Sequence, residues 1–107
     1  IFTSTIKSDI TKISGVVVVS AGEGSWVLPT GMADEILTIG CRPSSETSEY
    51  DLYIRDDEDG WEIFRRDSNI GIYSEVVTSP VPLWGDNTVH ISGATVDGNY
   101  FIRMIYK

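Results

Sequence analysis

The sequence has few of the residues that most often carry chemistry or cross-links. It contains one cysteine, Cys41, which excludes a disulfide within the chain, and one histidine, His90. The chain has eight Lys and Arg residues and sixteen Asp and Glu residues, which gives a formal net charge of −8. An acidic surface repels phosphate backbones, so this balance disfavours nucleic-acid binding. The longest apolar run, Val16–Val19, is far shorter than the roughly 18 residues of a membrane helix.

The residues that are present predict one β-domain. The chain has 107 residues, of which 41% are hydrophobic and 22% charged, and these values are usual for a single domain. Gly and Pro separate short runs that are rich in Val, Ile, Tyr and Trp, and β-branched side chains favour strands over helices. The pattern predicts an all-β fold, an antiparallel β-sandwich (jelly-roll-like or Ig-like) of about eight short strands.

Two hairpins are predicted from alternating segments joined by turn residues. The first joins residues 50–55 to residues 61–65, with Tyr50, Leu52 and Ile54 on one face and the residues between them on the other. The second joins residues 89–92 to residues 100–106. This last segment is apolar on both faces, so we expect a strand that is central in the sandwich or covered by a neighbouring subunit.

The first fourteen residues have a different character, which predicts an N-terminal arm (1–14) before a single sandwich domain (15–107). The segment is rich in Ser and Thr, with apolar residues near helical spacing at Phe2, Ile6, Ile10 and Ile13. Two interpretations stay open: an edge strand or helical turn packed on the body, or an arm that becomes ordered on a partner. The first residue, Ile1, also leaves open whether a leader has been removed.

No catalytic constellation is predicted. His90 alternates with apolar residues on a strand, which indicates an exposed strand residue rather than a base. The segment Gly-Glu-Gly-Ser-Trp at residues 22–26 lacks both the nucleophile-elbow spacing and the Lys-Ser/Thr of a phosphate loop. Cys41 is interpreted as a small strand residue rather than a reactive thiol. We therefore expect no enzyme, no catalytic residue and no cofactor.

The acidic run of residues 56–59 is the candidate feature for metal binding, and the tryptophans are the candidate feature for sugar binding. In the acidic run of residues 56–59 before Gly60, an EF-hand alignment places Arg55 and Arg66 where acidic donors are required, so that motif fails. No metal ligand is assigned, although a looser calcium site stays open beside the alternative of a solvated turn. For sugars, Trp26, Trp61 and Trp84 are candidate platform residues, with Trp84 the best of them, beside the alternative that each is a core or interface residue.

The closing stretch, residues 84–107, carries a resemblance to a known class of proteins. It combines a polar turn, an alternating strand, the sequence GATVDGNY at residues 93–100 and an aromatic-rich final strand. In this it resembles the end of small all-β accessory proteins of tailed bacteriophage particles. The resemblance implies a capsid decoration or cement protein, usually oligomeric and often trimeric, and it transfers no functional residue.

These observations lead us to expect a non-enzymatic virion structural protein that binds neighbouring shell subunits through an apolar arm and strand surfaces. Its partners would be the major capsid protein or another virion protein and further copies of itself, as in a trimer, with neither nucleic acid nor a membrane. The alternative is a carbohydrate-binding or adhesion module that uses exposed aromatic residues. The predicted interface residues are Phe2, Ile6, Ile10, Ile13, Trp84, Phe101 and Ile105.

Overall fold

Nine strands make up most of the chain in the computed structural model, which describes residues 11–28, 32–79 and 81–107. The strands are β1 (Thr11–Val19), β2 (Gly24–Val27), β3 (Met32–Arg42), β4 (Glu49–Asp56), β5 (Glu62–Ile70), β6 (Tyr73–Val76), β7 (Pro82–Gly85), β8 (Asn87–Ser92) and β9 (Gly98–Tyr106). In these ranges, no helix is suited in length and hydrophobicity to cross a membrane.

The strands form two antiparallel sheets with the core between them. The first sheet has the order β1-β9-β3-β6, and β7 also pairs with β3; the second has the order β2-β8-β4-β5. Both inner faces contribute side chains that are at most 1% exposed, among them Val17, Ile39 and Ile102 from the first sheet and Leu52 and Val89 from the second. The predicted antiparallel β-sandwich is therefore confirmed.

The first predicted hairpin is confirmed as β4 and β5, which pair antiparallel within the second sheet. Tyr50, Leu52 and Ile54 are each at most 1% exposed, as their alternation predicts. Gly60 takes the positive φ of 79° that the connecting turn requires, a conformation that favours glycine.

The second predicted hairpin is wrong, because its two strands belong to different sheets. Strand β8 pairs with β2 and β4, whereas β9 pairs with β1 and β3. The residues between them cross from one sheet to the other and are held there by backbone hydrogen bonds. Ala94 N donates to Gly22 O and Thr95 N donates to Glu49 O, both at 3.0 Å. Alternation along a segment identifies a strand but does not identify its partner.

Tyr100 anchors the start of β9 to this crossover. Its hydroxyl donates to the carbonyl oxygen of Val96 at 2.5 Å and is also hydrogen-bonded to the buried Ser48 hydroxyl. The ring of Tyr50 packs edge-on against Tyr100, with a centroid distance of 5.3 Å. A tyrosine that bonds back to the backbone just upstream, at a corner between sheets, is a recurrent feature of β-sandwiches.

Asp97, in the same crossover, fixes the turn between β1 and β2. Its two carboxylate oxygens accept hydrogen bonds from the backbone N–H groups of Ala21 and Gly22, each at 3.0 Å. These two residues have positive φ values of 55° and 81°. The carboxylate therefore supports a left-handed turn that Ala21 would otherwise disfavour.

The predicted arm falls partly outside the described residues, which exclude Phe2, Ile6 and Ile10. Its described residues, 11–14, belong to β1, so the predicted boundary after residue 14 lies inside a strand. The ladder with β9 runs from Thr11 opposite Tyr106 onward, because the β-branched residues here continue the sheet. Ile13 is partly buried against the core, which makes it a core contact of this chain.

The final strand is central in its sheet, which confirms the first of the two positions expected for a strand that is apolar on both faces. Strand β9 lies between β1 and β3 and buries Tyr100, Ile102 and Met104 on the inner face. Its outer face is open among the described residues, since Phe101 is 43% exposed there. An apolar side chain exposed on the outside of a central strand makes that face of the sheet a candidate contact surface.

Candidate functional site

The outer face of the first sheet is built from three rows of side chains that run across its strands. Their neighbours along the strands point inward, and among these Cys41, Ile102 and Met104 are buried. The rows, which together we call the outer face, are Val16–Phe101–Arg42, Ser14–Arg103–Gly40–Ser74 and Lys12–Ile105–Thr38–Val76.

The apolar part of the outer face is substantially exposed. Val16 is 38% exposed, Phe101 43% and Val76 71%, and Ile72 at the end of the sheet is 64% exposed. Ile105 lies in the same rows and is partly buried. Of the seven predicted interface residues, Phe101 and Ile105 are therefore brought together on one surface. Contiguous exposed apolar side chains of this kind mark contact surfaces for other molecules.

A groove of about 510 Å³ crosses the middle of this face. It is lined by the apolar residues Val16, Phe101 and Ile72 and by the cations Arg42 and Arg103, among others. Gly40 lies at the centre of the row between Arg103 and Ser74. Because glycine has no side chain, the row is interrupted there and the groove stays open.

The outer face is positively charged although the chain as a whole is acidic. Lys12, Arg42 and Arg103 lie on it, and none of its eleven positions is Asp or Glu. The Arg42 guanidinium lies 5.1 Å from the centroid of the Phe101 ring, which is a cation–π contact. Neither Arg42 nor Arg103 forms a salt bridge with another described residue; those salt bridges involve Arg65 and Arg66. The charges on this face are therefore open to a partner.

The acidic turn between β4 and β5 has the opposite character. Its shape is fixed locally, because Glu58 N donates to Asp56 Oδ1 and Trp61 N donates to Asp59 Oδ1, both at 3.0 Å. Thr88 Oγ1 donates to Asp57 Oδ2 at 2.5 Å, which ties the turn to β8. The described residues contain no group of three or more His, Cys, Asp or Glu side chains placed to hold a metal ion. The looser calcium site is therefore not found among them.

The three tryptophans occupy unlike positions. Trp26 packs over Gly15, where an added Cβ would lie only 2.1 Å from a ring carbon, so it closes the edge of the sandwich. Trp61 follows the acidic turn and is 73% exposed. Trp84 lies in β7, and its side chain is outside the described part of the structure. Only Trp61 is thus shown to present its ring to solvent.

His90 takes part in a ring stack on the outer side of the second sheet. Its imidazole lies parallel to the ring of Tyr53, with a centroid distance of 4.7 Å and an interplanar angle of 8°. The Arg65 guanidinium lies 5.1 Å from the centroid of the Tyr53 ring. Burial lowers the pKa of His90. His90 points outward from β8, as its alternation predicts, but it is half-buried rather than fully exposed, because Tyr53 stands directly opposite on β4 and packs against it.

A second groove, of about 390 Å³, adjoins this stack and is lined by His90, Tyr53, Glu23, Ser25 and Ser92 among others. The Nε2 atom of His90 is buried and has no hydrogen-bond partner among the described residues. The groove offers an aromatic wall, hydroxyl groups and one carboxylate. This combination suits a neutral polar ligand better than an anion.

Cys41 is not a reactive group. It is 2% exposed, and burial raises the pKa of its thiol to about 11. A thiol with so high a pKa is almost entirely protonated at neutral pH and is a poor nucleophile. The prediction that Cys41 is a small strand residue is confirmed, since it lies in β3.

Neither the comparison with protein-family models nor that with curated proteins gives a match. Among solved structures, the chain is similar to a carbohydrate-binding module, described as CBM36 in complex with calcium and xylotriose. The identity is 13%, the TM-score is 0.39, and the match covers 94% of this chain and 87% of that chain. A similarity this low carries no functional argument, so function is argued from the chain's own geometry.

Proposed function

We propose that the protein is a non-enzymatic structural protein that binds neighbouring protein subunits through the outer face of its first sheet, as a virion decoration protein does. The single observation that carries the proposal is the set of exposed apolar side chains around Phe101, at 43% exposure, on a central strand. Water contact at such side chains is unfavourable, and a protein partner removes it.

The magnitude of the effect supports a protein partner. Fully burying one large apolar side chain contributes about 1.5–3 kcal/mol. Four apolar side chains on or beside this face are between 38% and 71% exposed, namely Phe101, Val16, Val76 and Ile72. Burying all four against a partner therefore contributes several kcal/mol to the binding free energy. This gain must exceed the cost of association, which is at least about 4 kcal/mol. Burial of the whole face, rather than of one side chain, is needed to exceed this cost of association.

The virion setting agrees with the charge of the remaining surface and with the resemblance of the closing stretch to phage accessory proteins. A net charge of −8 limits non-specific contact with DNA and keeps a crowded particle soluble. A decoration protein acts by buried area and shape, so it requires no catalytic group.

Site-specific photo-cross-linking tests this function. Phe101 is replaced by p-benzoyl-phenylalanine, and in a matched control the same substitution is made at Val27, which is 60% exposed on the other sheet. Both variants are expressed in the cells that naturally contain the protein, irradiated, and analysed by mass spectrometry. We expect position 101, and not position 27, to cross-link to a shell protein or to a second copy. Equal cross-linking at both positions, or none at 101, would contradict the proposal.

The ring stack on the second sheet favours a second candidate function, the binding of a carbohydrate. Sugar rings stack on aromatic faces and exchange hydrogen bonds with hydroxyl and carboxylate groups, and the groove beside His90 and Tyr53 supplies both. Titration with a panel of neutral oligosaccharides, followed by NMR, tests this candidate. Shifts confined to residues around His90, and lost in His90→Ala, would support it; an unchanged spectrum across the panel would dismiss it.

A further inference from the structure

We propose that the partner of the outer face is a second copy of this chain, whose Trp61 enters the groove while its acidic turn meets the arginines beside it. The inference rests on the proposed function and names the occupant of the same surface. It joins two features that lie on different sheets: the groove of about 510 Å³ on the first sheet, and the tryptophan, 73% exposed, that follows the β4–β5 turn.

Charge selects this partner over a second outer face. Two outer faces placed against each other would bring Lys12, Arg42 and Arg103 of one copy against the same cations of the other, and like charges in an interface disfavour binding. The other five Lys and Arg residues of the chain are outnumbered by its sixteen Asp and Glu residues. The complementary surface for the outer face is therefore present elsewhere on the same molecule.

Within the described residues, the acidic turn combines negative charge with an exposed aromatic ring. Asp57, Glu58 and Asp59 stand exposed within the four residues that precede Trp61. Among described large hydrophobic residues, Trp61 is the most exposed, at 73%. Tryptophan is enriched among residues that dominate binding energy, as is arginine. The acidic turn therefore offers carboxylates for the arginines of the groove and an indole ring for its apolar residues.

The groove supplies matching contacts for an indole ring. Val16, Phe101 and Ile72 provide apolar lining, and Arg42 and Arg103 provide cations. Arginine guanidinium groups bind the face of tryptophan in cation–π contacts, and the contact strengthens when both groups lose water. Carboxylates that flank the ring would then pair with the same arginines.

Because the two surfaces differ, the contact is heterologous and joins copies head to tail. Such contacts close into a ring when the rotation between copies allows it, and a three-membered ring is one closed form. Each copy then contributes one turn and one groove, and no turn or groove is left uncovered in the ring.

A complementation experiment tests the proposal in solution. Trp61→Ala removes the ring but keeps the groove, and Arg103→Glu reverses the groove charge but keeps the turn. Lys107→Glu makes the same charge change at a residue that does not line the groove and serves as the control. Masses are measured by light scattering after size-exclusion chromatography over a range of protein concentrations, and circular dichroism checks that each variant is folded.

We expect the wild type and Lys107→Glu to form an oligomer of the 11.8 kDa chain, and each of the other two variants to be monomeric. An equimolar mixture of Trp61→Ala and Arg103→Glu should form a 1:1 pair, because one intact turn and one intact groove remain. Self-association of Trp61→Ala should be at least about thirtyfold weaker than that of the wild type, the effect of a 2 kcal/mol hot spot.

A monomeric wild type at every concentration, wild-type association of Trp61→Ala, or a mixture that stays monomeric would each overturn the inference. A cross-link from position 101 to a different shell protein, together with a monomeric wild type, would refute only the second copy as partner. The proposed function would stand in that case.

Discussion

Replacing Tyr100 by Phe probes the contact that joins the crossover to the core. The substitution keeps the buried ring but removes the hydroxyl that donates to Val96 O and pairs with Ser48. Ser48 is 0% exposed, so its hydroxyl loses its partner without gaining water. A buried polar group left without a partner costs about 1–3 kcal/mol. We therefore expect Tyr100→Phe to lower the free energy of unfolding by about 2 kcal/mol.

Urea unfolding followed by circular dichroism measures this loss, and thermal unfolding should show a fall in Tm of about 8 °C or more. Tyr53→Phe is the matched control, because the Tyr53 hydroxyl has no hydrogen bond among the described residues, and it should change stability by less than about 0.5 kcal/mol. Ser48→Ala completes a double-mutant cycle with an expected coupling of about 1 kcal/mol. A Tyr100→Phe protein as stable as the control, or a coupling near zero, would refute the reasoning.

Three further predictions concern other parts of the fold. Hydrogen bonds from Arg66 lower the pKa of Glu75 below 4.5. This carboxylate therefore stabilises the fold above that pH, and its contribution is lost as the pH falls through the lowered pKa. The wild type should be more stable than Glu75→Gln by about 1 kcal/mol at neutral pH, and urea unfolding at decreasing pH should show this difference shrinking. Gly15→Ala should cost about 2 kcal/mol or more in the same assay, because the new methyl group meets the Trp26 ring at 2.1 Å; an unchanged midpoint would contradict the close approach. The buried Cys41 thiol, with a pKa of about 11, should react with a thiol reagent only after unfolding, and rapid labelling of the native protein would show that it is accessible.

The strands themselves were largely readable from the order of residues. Alternation correctly placed Tyr50, Leu52 and Ile54 on one face of β4, which the structure buries, and Gly60 marked the turn into β5. Local signals sufficed here because a strand's two faces and a tight turn are both set by residues close together in the chain. The same signals misassigned the pairing of β8 with β9, since the partner of a strand depends on the whole sheet order.

The candidate site was only partly readable. Phe101 and Ile105 stood out as apolar residues on a final strand, but the sequence reasoning missed Arg42, Arg103 and Gly40 as members of the same surface. No local signal marks them, because each is an ordinary residue in an alternating segment. Phe2, Ile6 and Ile10 lie outside the described residues, and Ile13 packs against the core.

Composition and alternation by themselves determined the antiparallel sandwich, the net negative charge and the place of Cys41 as a small strand residue. These properties depend on side-chain type and on a two-residue period, both of which are local. Only the tertiary structure decided which strands are neighbours, and so gathered Val16, Arg42 and Phe101, distant in the chain, into one positively charged row. The physical reason is that the ladder hydrogen bonds of a sheet are made between distant segments, so the grouping of charge and apolar area on one face exists only once the sheet order is formed.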